Sequence, residues 1–281
     1  MTAIPEIMLN NGNQIPQFGF GVFQVKPGET AQAVSTALRL GYRHIDTAQM
    51  YGNEQQVGEA VAASGLDRSQ LYLTTKLNNG FHRPDDARRA FAASLQALGS
   101  DYVDLFLIHW PLPTRYGGDY VSTWQTLEEF YREGRARSIG VSNFQAHHLR
   151  RLHTECEIPP AVNQIEVHPY LTQEELRAFC GEHSIAVEAW SPIAQGKVLD
   201  DPTIGEIARR VGKTPAQVVL RWHIERGDIV FPKSVTPARI QENIDIFGFE
   251  LSGEDVEAIT ALDRGDRTGP DPDTFDWIPA G

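Results

Sequence analysis

Gly41-Tyr42-Arg43-His44-Ile45-Asp46-Thr47-Ala48-Gln49-Met50-Tyr51-Gly52-Asn53-Glu54 compresses a strand end, a polar loop and a helix start into one span. Asp46 closes an apolar run, Tyr51 follows in the loop, and Asn53 opens the next helix. A carboxylate and a phenol at the carboxyl end of a strand, just ahead of a helix, occupy the edge where repeating strand–helix barrels collect their chemistry.

Outward from this span, strand-like and helix-like runs alternate. A hairpin is expected first, with strands at 7–9 and 15–17 around the turn Asn11-Gly12-Asn13, because Asn-Gly favours tight hairpin turns. The strand 18–22 then precedes a helix at 30–40 that Gly41 ends, and 44–47 precedes 54–63. The strand 71–77 precedes 85–98, ended by Gly99, and 103–110 precedes 120–133, ended by Gly134. Next, 137–142 precedes 146–154, and 161–167 precedes 173–183. The strand 185–190 precedes two helices, 203–211 and 215–226, while 229–233 precedes 238–247 and a last helix covers 252–262.

Eight such units without a break in composition predict one (β/α)₈ TIM barrel, a single domain over residues 1–281, with an N-terminal β-hairpin and an extra C-terminal helix. The strand Val103-Asp104-Leu105-Phe106-Leu107-Ile108 is mostly apolar, as expected where both faces are covered. Val34, Ala37 and Leu38, and later Phe91, Leu95 and Leu98, follow the helical period. Thr214-Pro215 reads as an N-cap followed by proline at the first helical position, and Ser252 with Asp255 as a capping box. A doubly wound sheet would carry Gly-x-Gly-x-x-Gly at its first turn, and Gly19-Phe20-Gly21 runs on into Val22-Phe23-Gln24 instead. Gly212-Lys213-Thr214 is not a phosphate loop, because Ile207 stands where its first glycine belongs.

Composition narrows the function. The net charge is −12 and no basic block occurs, which argues against a nucleic-acid surface. No apolar run approaches a membrane span, and the opening Met1-Thr2-Ala3-Ile4-Pro5-Glu6 lacks the basic and apolar regions of a leader. Cys156 and Cys180 lie in helical patterns without metal-ligand partners and read as reduced buried thiols. The histidines show no HExxH or similar spacing, so no metal is expected. A cytoplasmic protein is the expectation, and a monomer too, since no exposed apolar stripe demands a partner.

Polar residues recur at the predicted strand ends: Asp46 and Tyr51, then Lys76, His109, Ser142-Asn143, Gln164 with Glu166, Trp190-Ser191 and Lys233-Ser234. In a barrel these converge on one mouth. An ammonium at the end of an apolar strand is costly unless paired, and Asp46 comes from the neighbouring strand. Lys76 so held is expected to lower the pKa of Tyr51 by roughly one or two units, about 1.4 kcal/mol each, which suits a general acid. A lone strand-end lysine or histidine is ordinarily a packing or ion-pair residue, whereas four at matching strand ends point to a site. Two other classes compete: a Schiff-base aldolase using Lys76 as nucleophile, and a binding or regulatory protein that turns over little.

The run 41–54 resembles the signature of the aldo-keto reductase family, as do Thr75-Lys76, Ile108-His109-Trp110-Pro111, Ser138-Ile139-Gly140-Val141-Ser142-Asn143 and Val230-Phe231-Pro232-Lys233-Ser234. Pro160-Ala161-Val162-Asn163-Gln164-Ile165-Glu166, and Gly196-Lys197 after a tryptophan strand, are similar to the bacterial 2,5-diketo-D-gluconate reductase group. The resemblance implies NADPH-dependent reduction of small aldehydes and ketones, dicarbonyls or keto-sugar acids among them. It implies Tyr51 as proton donor, Lys76 and Asp46 as its tuning pair, and His109 orienting the carbonyl. It implies that Ser142, Asn143 and Gln164 hold the nicotinamide carboxamide and that Trp190 stacks on the ring. Lys233, Ser234 and Arg239 would then meet the 2′-phosphate and Asn243 the adenine, with Ser191 and Val235 in the same groove. Phe23, Trp110 and Trp277 are the aromatic residues available to line a substrate pocket. Related bacterial sequences carry tryptophan after the Lys-Leu pair of the third strand, and here the residue is Asn78, so that wall is missing or replaced.

Overall fold

The computed structural model describes residues 4–279. Met1, Thr2, Ala3, Ala280 and Gly281, which the expected single domain includes, lie outside the described residues. The strand β1 (Glu6–Met8) pairs antiparallel with β2 (Gln14–Pro16), Ile7 opposite Ile15, and Gly12 takes the positive φ of 85° that the turn requires.

The alternation follows: β3 (Phe20–Gly21), α1 (Pro27–Arg39), β4 (His44–Asp46), α2 (Glu54–Ala63), β5 (Tyr72–Leu77), α3 (Pro84–Leu98), β6 (Val103–Ile108), α4 (Val121–Arg132), β7 (Ala136–Ser142) and α5 (Ala146–Glu155). It continues through β8 (Val162–Glu166), α6 (Glu174–Glu182), β9 (Ala186–Trp190), α7 (Pro202–Val211), α8 (Pro215–Glu225), β10 (Ile229–Val230), α9 (Pro237–Ile244) and α10 (Gly253–Thr260). Strands β3 to β10 form one eight-stranded parallel sheet in sequence order. A parallel bridge between Phe18 and Val230 closes it, with the Gly19 N–H donating to the Val230 carbonyl at 2.8 Å.

The expected barrel, hairpin and extra C-terminal helix are all present. Element edges moved where proline acts. The first and third barrel helices start at Pro27 and Pro84, ahead of the expected positions, because proline is pre-set for the first helical turn. The last strand stops at Val230 because Pro232, two residues on, has no N–H to extend the ladder. The caps at Thr214 and Ser252 formed as expected, each side chain accepting the backbone N–H three residues on.

The pleat sorts the core into two. Phe106 and Ile108 of β6 face the helices, where the rings of Phe91, Phe106 and Phe130 stack with centroids 4.4 to 6.0 Å apart. Leu105 and Leu107 point into the barrel and pack with Val162, Ile229 and the hairpin's Leu9 and Ile15. The hairpin therefore plugs the amino-terminal end of the barrel. Asn11 and Asn13 tie it down, both donating to the Arg137 carbonyl, at 3.1 and 2.7 Å. No described helix is long and apolar enough to cross a membrane.

Candidate active site

At the open end, the parallel register pairs Asp46 with Thr74, so Asp46 and Lys76 point into the barrel on the same face two residues apart. Lys76 is fully buried. Its ammonium donates to both Asp46 oxygens at 2.7 and 2.8 Å, to the Thr47 carbonyl at 2.9 Å and to the Tyr51 hydroxyl at 3.3 Å. Burial lowers the Lys76 pKa, but Asp46 beside it more than offsets this and holds it above that of a free lysine.

Tyr51 ends a single 3₁₀ turn, Gln49–Tyr51. The turn is pinned by Gln49, which donates to the Ala90 carbonyl at 2.6 Å and accepts the Asn78 N–H at 2.8 Å. Asn53 does not cap α2. Its amide instead donates to the carbonyls of Val22 and Val25 at 3.0 and 3.2 Å, and its oxygen accepts the Thr47 hydroxyl at 3.0 Å, which fixes the loop around Tyr51. The expected depression of the Tyr51 pKa is corrected. Burial pushes the phenol up to about 12, and the pull of Lys76 does not overcome it because Asp46 and Glu188 push the same way as burial.

His109 follows β6, its ring edge-on to Tyr51 with centroids 5.7 Å apart. Burial first, then Lys76, hold its pKa well below that of a free histidine, so the ring is neutral and carries one N–H. Asn143 supports it, donating to the His109 carbonyl at 2.9 Å from a left-handed backbone position, φ 64°. The indole N–H of Trp190 donates to the Asn143 side-chain oxygen at 2.8 Å, and the Ser142 hydroxyl donates to the Gln164 carbonyl at 2.8 Å. Gln164 has both amide hydrogens committed inward, to Asp46 at 2.9 Å and Glu188 at 2.8 Å, so its oxygen is the end left to meet a ligand. Ser191, next to Trp190, is also left-handed at φ 50°.

Beyond β10, Lys233, Val235 and Arg239 are exposed, Ser234 is buried and Asn243 is half-buried. Neither Lys233 nor Arg239 forms an ion pair among the described residues, and Arg239 lies in the first turn of α9. Two free cations beside a helix start suit a phosphate. Phe23 is 53% exposed with its ring 5.0 Å from Tyr51, whereas Trp110 is buried against Phe275 at 4.2 Å.

Two features go beyond the sequence reading. The first is the path of the C-terminal segment across the mouth, where the resemblance implied only that the tail after Arg264 is a short substrate wall. Glu166 accepts the N–H groups of Thr268 and Gly269 at 2.6 and 3.1 Å, and Gly269 lies so close to Trp190 that a Cβ would strike the indole. Asn79 donates to the Trp277 carbonyl at 2.9 Å, bringing an exposed tryptophan beside the loop that begins at Asn78. Asn78 itself caps the turn after β5 by accepting the Gly80 N–H at 2.9 Å. The second is Glu188, whose only sequence signal was a lone charge amid Ala186-Val187-Glu188-Ala189-Trp190.

His147, His148 and Asp273 bring possible metal ligands together. The Gln145 N–H donates to His148 Nδ1 at 3.0 Å, which puts the ring proton on Nε2, facing Asp273 and unsuited to a metal. A polar depression of about 320 Å³ lies at the hairpin end, lined by Tyr72, Asp104 and Arg137, remote from the strand ends that carry Asp46, Tyr51 and Lys76.

Residues 17–264 match the sequence profile described as the Aldo/keto reductase family. The chain is 52% identical to an aldo-keto reductase of Mycobacterium sp. (strain KMS) over 273 residues, 97% of this chain and 98% of that one. It is 51% identical to the methylglyoxal reductase DkgA of Yersinia pestis over 278 residues, 98% of this chain and 99% of the relative. The crystal structure of a Gox0644 point mutant in complex with NADPH superposes with a TM-score of 0.94 at 45% identity, covering 98% of this chain and 100% of that one.

Proposed function

The chain belongs to the aldo/keto reductase family, and on that premise we propose that it reduces aldehydes and ketones to alcohols with NADPH, small dicarbonyls such as methylglyoxal among them. The observation that carries this reading is the Lys76 ammonium, bonded at once to the Asp46 carboxylate and the Tyr51 hydroxyl. We take residues 1–281 as one catalytic domain.

NADPH, held at the mouth, would supply the hydride. The free cations Lys233 and Arg239 fit its 2′-phosphate, with Ser234, Val235 and Asn243 along the same stretch. Ser142, Asn143, Gln164, Trp190 and Ser191 would hold the nicotinamide end. Tyr51, still protonated at neutral pH, gives its proton to the carbonyl oxygen as negative charge grows there. Lys76 stabilises the tyrosinate left behind, and Asp46 keeps Lys76 charged and aimed. The neutral His109 offers its N–H to the same carbonyl oxygen. Phe23 and Trp110 supply the apolar wall for the remainder of the substrate.

The aldolase alternative needs a lysine that loses its proton readily. Lys76 is driven the other way, and its ammonium is already used by Asp46, Thr47 and Tyr51.

The test follows NADPH oxidation by absorbance with methylglyoxal and a panel of aldehydes, ketones and keto-sugar acids. Tyr51→Phe is expected to lose about a hundredfold or more in kcat while NADPH binding, read by fluorescence, persists. A Phe variant with near-normal turnover removes Tyr51 from the reaction, and a wild-type chain that consumes no NADPH with any carbonyl overturns the reading.

A further inference from the structure

Glu188 lies inside the barrel on β9, fully buried, and the reaction described above makes no use of it. Its Oε2 accepts one hydrogen of the Gln164 amide at 2.8 Å, while the other hydrogen goes to Asp46 Oδ2 at 2.9 Å. Its Oε1 has no hydrogen-bond partner, and His44 Nε2 stands 3.7 Å away. The titratable groups around it are His44 and Asp46 from β4, Tyr72 and Lys76 from β5, and Tyr51 from the loop after β4. Burial lowers His44 to about 3 and raises the Tyr72 phenol well above its usual value, so both are neutral. Lys76 is then the one cation of this group, and Asp46 already holds it through both oxygens. An ionised Glu188 is therefore a second, unbalanced negative charge among buried groups. Burial, then the neighbouring Asp46, push its carboxyl up to about 8, and burial raises Asp46 as well. Lys76 on both Asp46 oxygens and the Gln164 amide pull Asp46 back, so the proton belongs to Glu188, which has Gln164 alone.

We propose that Glu188 is a positioning residue for carbonyl reduction, a protonated carboxyl tied to Asp46 through the two N–H groups of Gln164 that keeps the Asp46–Lys76 pair balanced while Tyr51 releases its proton. The inference rests on the function proposed above. When Glu188 loses its proton, the added negative charge holds the Tyr51 proton more tightly and competes with Asp46 for Lys76. Reduction therefore declines toward alkaline pH as Glu188 ionises. The same tie turns the Gln164 amide nitrogen inward and its oxygen outward, since the ionised Asp46 only accepts and needs an N–H there.

The experiment compares pH profiles of methylglyoxal reduction in the wild type and E188Q, each normalised to its own maximum. Glutamine still accepts from Gln164 but cannot ionise. The wild-type kcat is expected to fall through a midpoint near the Glu188 value of about 8. The E188Q midpoint is expected about one pH unit or more higher, with KM for the carbonyl moving less than kcat. Infrared difference spectra of both proteins without cofactor read the carboxyl directly. A protonated carboxyl band that disappears near pH 8 in the wild type and is absent from E188Q supports the proposal. Superimposable profiles in two folded proteins, or no such band in the wild type, overturn it. If E188Q fails to fold, the wild-type infrared titration alone decides. A wild type that shows the band but reduces nothing at any pH overturns the reading of the site instead.

Discussion

The Lys76 ammonium makes Asp46, Thr47 and Tyr51 one hydrogen-bonded unit. The residues that could be read from sequence are those whose chemical type betrays them, such as a lysine ending an apolar strand. The Tyr51 pKa could not be read, because its direction is a sum over burial, Lys76, Asp46 and Glu188. At the phosphate site proposed for Lys233 and Arg239, Lys233→Ala is expected to raise KM for NADPH by roughly ten- to a hundredfold and KM for NADH far less, the loss of one charge-assisted contact. Equal changes for both coenzymes would contradict the assignment. Glu188 predicts a stability effect as well. Its pKa rises from 4.5 in the unfolded chain to about 8, so between those values the folded protein keeps a proton that the unfolded chain has released, and stability falls as pH rises through that window. E188Q lacks this loss. Its Tm relative to the wild type should climb from pH 5 to pH 8, by an amount corresponding to a few kcal/mol. A Tm difference independent of pH would count against a raised Glu188.

Elements were the most legible level, since helix starts, caps and the period of apolar residues are local signals. Thr214 and Ser252 capped their helices as expected, whereas Pro27 and Pro84 started theirs ahead of the expected positions. Packing between elements was not local. Gly58 on α2 sits against α3, where a Cβ would come within 2.6 Å of the Ala97 carbonyl and 2.8 Å of Leu98. Gly58→Ala should push the two helices apart and cost about 1–3 kcal/mol in denaturant unfolding, despite alanine's better helix propensity. A stabilised variant would show that the crossing can relax. Nothing in the local sequence distinguishes Gly58 from a surface glycine. Its constraint comes from the backbone of the next helix.

Across the whole molecule, the interior keeps several histidines neutral. Burial lowers His44 to about 3 and His82 and His148 to about 4, and it lowers His109 and His223 as well. The unfolded chain protonates these rings near pH 6.5, so the folded state loses stability as pH falls below that value. Thermal melting of E188Q, in which the opposing effect of Glu188 is absent, should show a lower Tm at pH 5 than at pH 7. An unchanged Tm would mean that the buried rings gain compensating partners when charged. The alternation of strands and helices, the hairpin and the strand-end polar residues were all determined by the sequence, because propensity and apolar period act over a few neighbours along the chain. Only the tertiary structure decided the strap over Trp190, the direction of the Tyr51 shift and the Glu188–Gln164–Asp46 tie, whose Gln164 and Asp46 stand 118 positions apart. Electrostatics and burial sum over whatever the fold brings near, and that neighbourhood exists only once the barrel has closed.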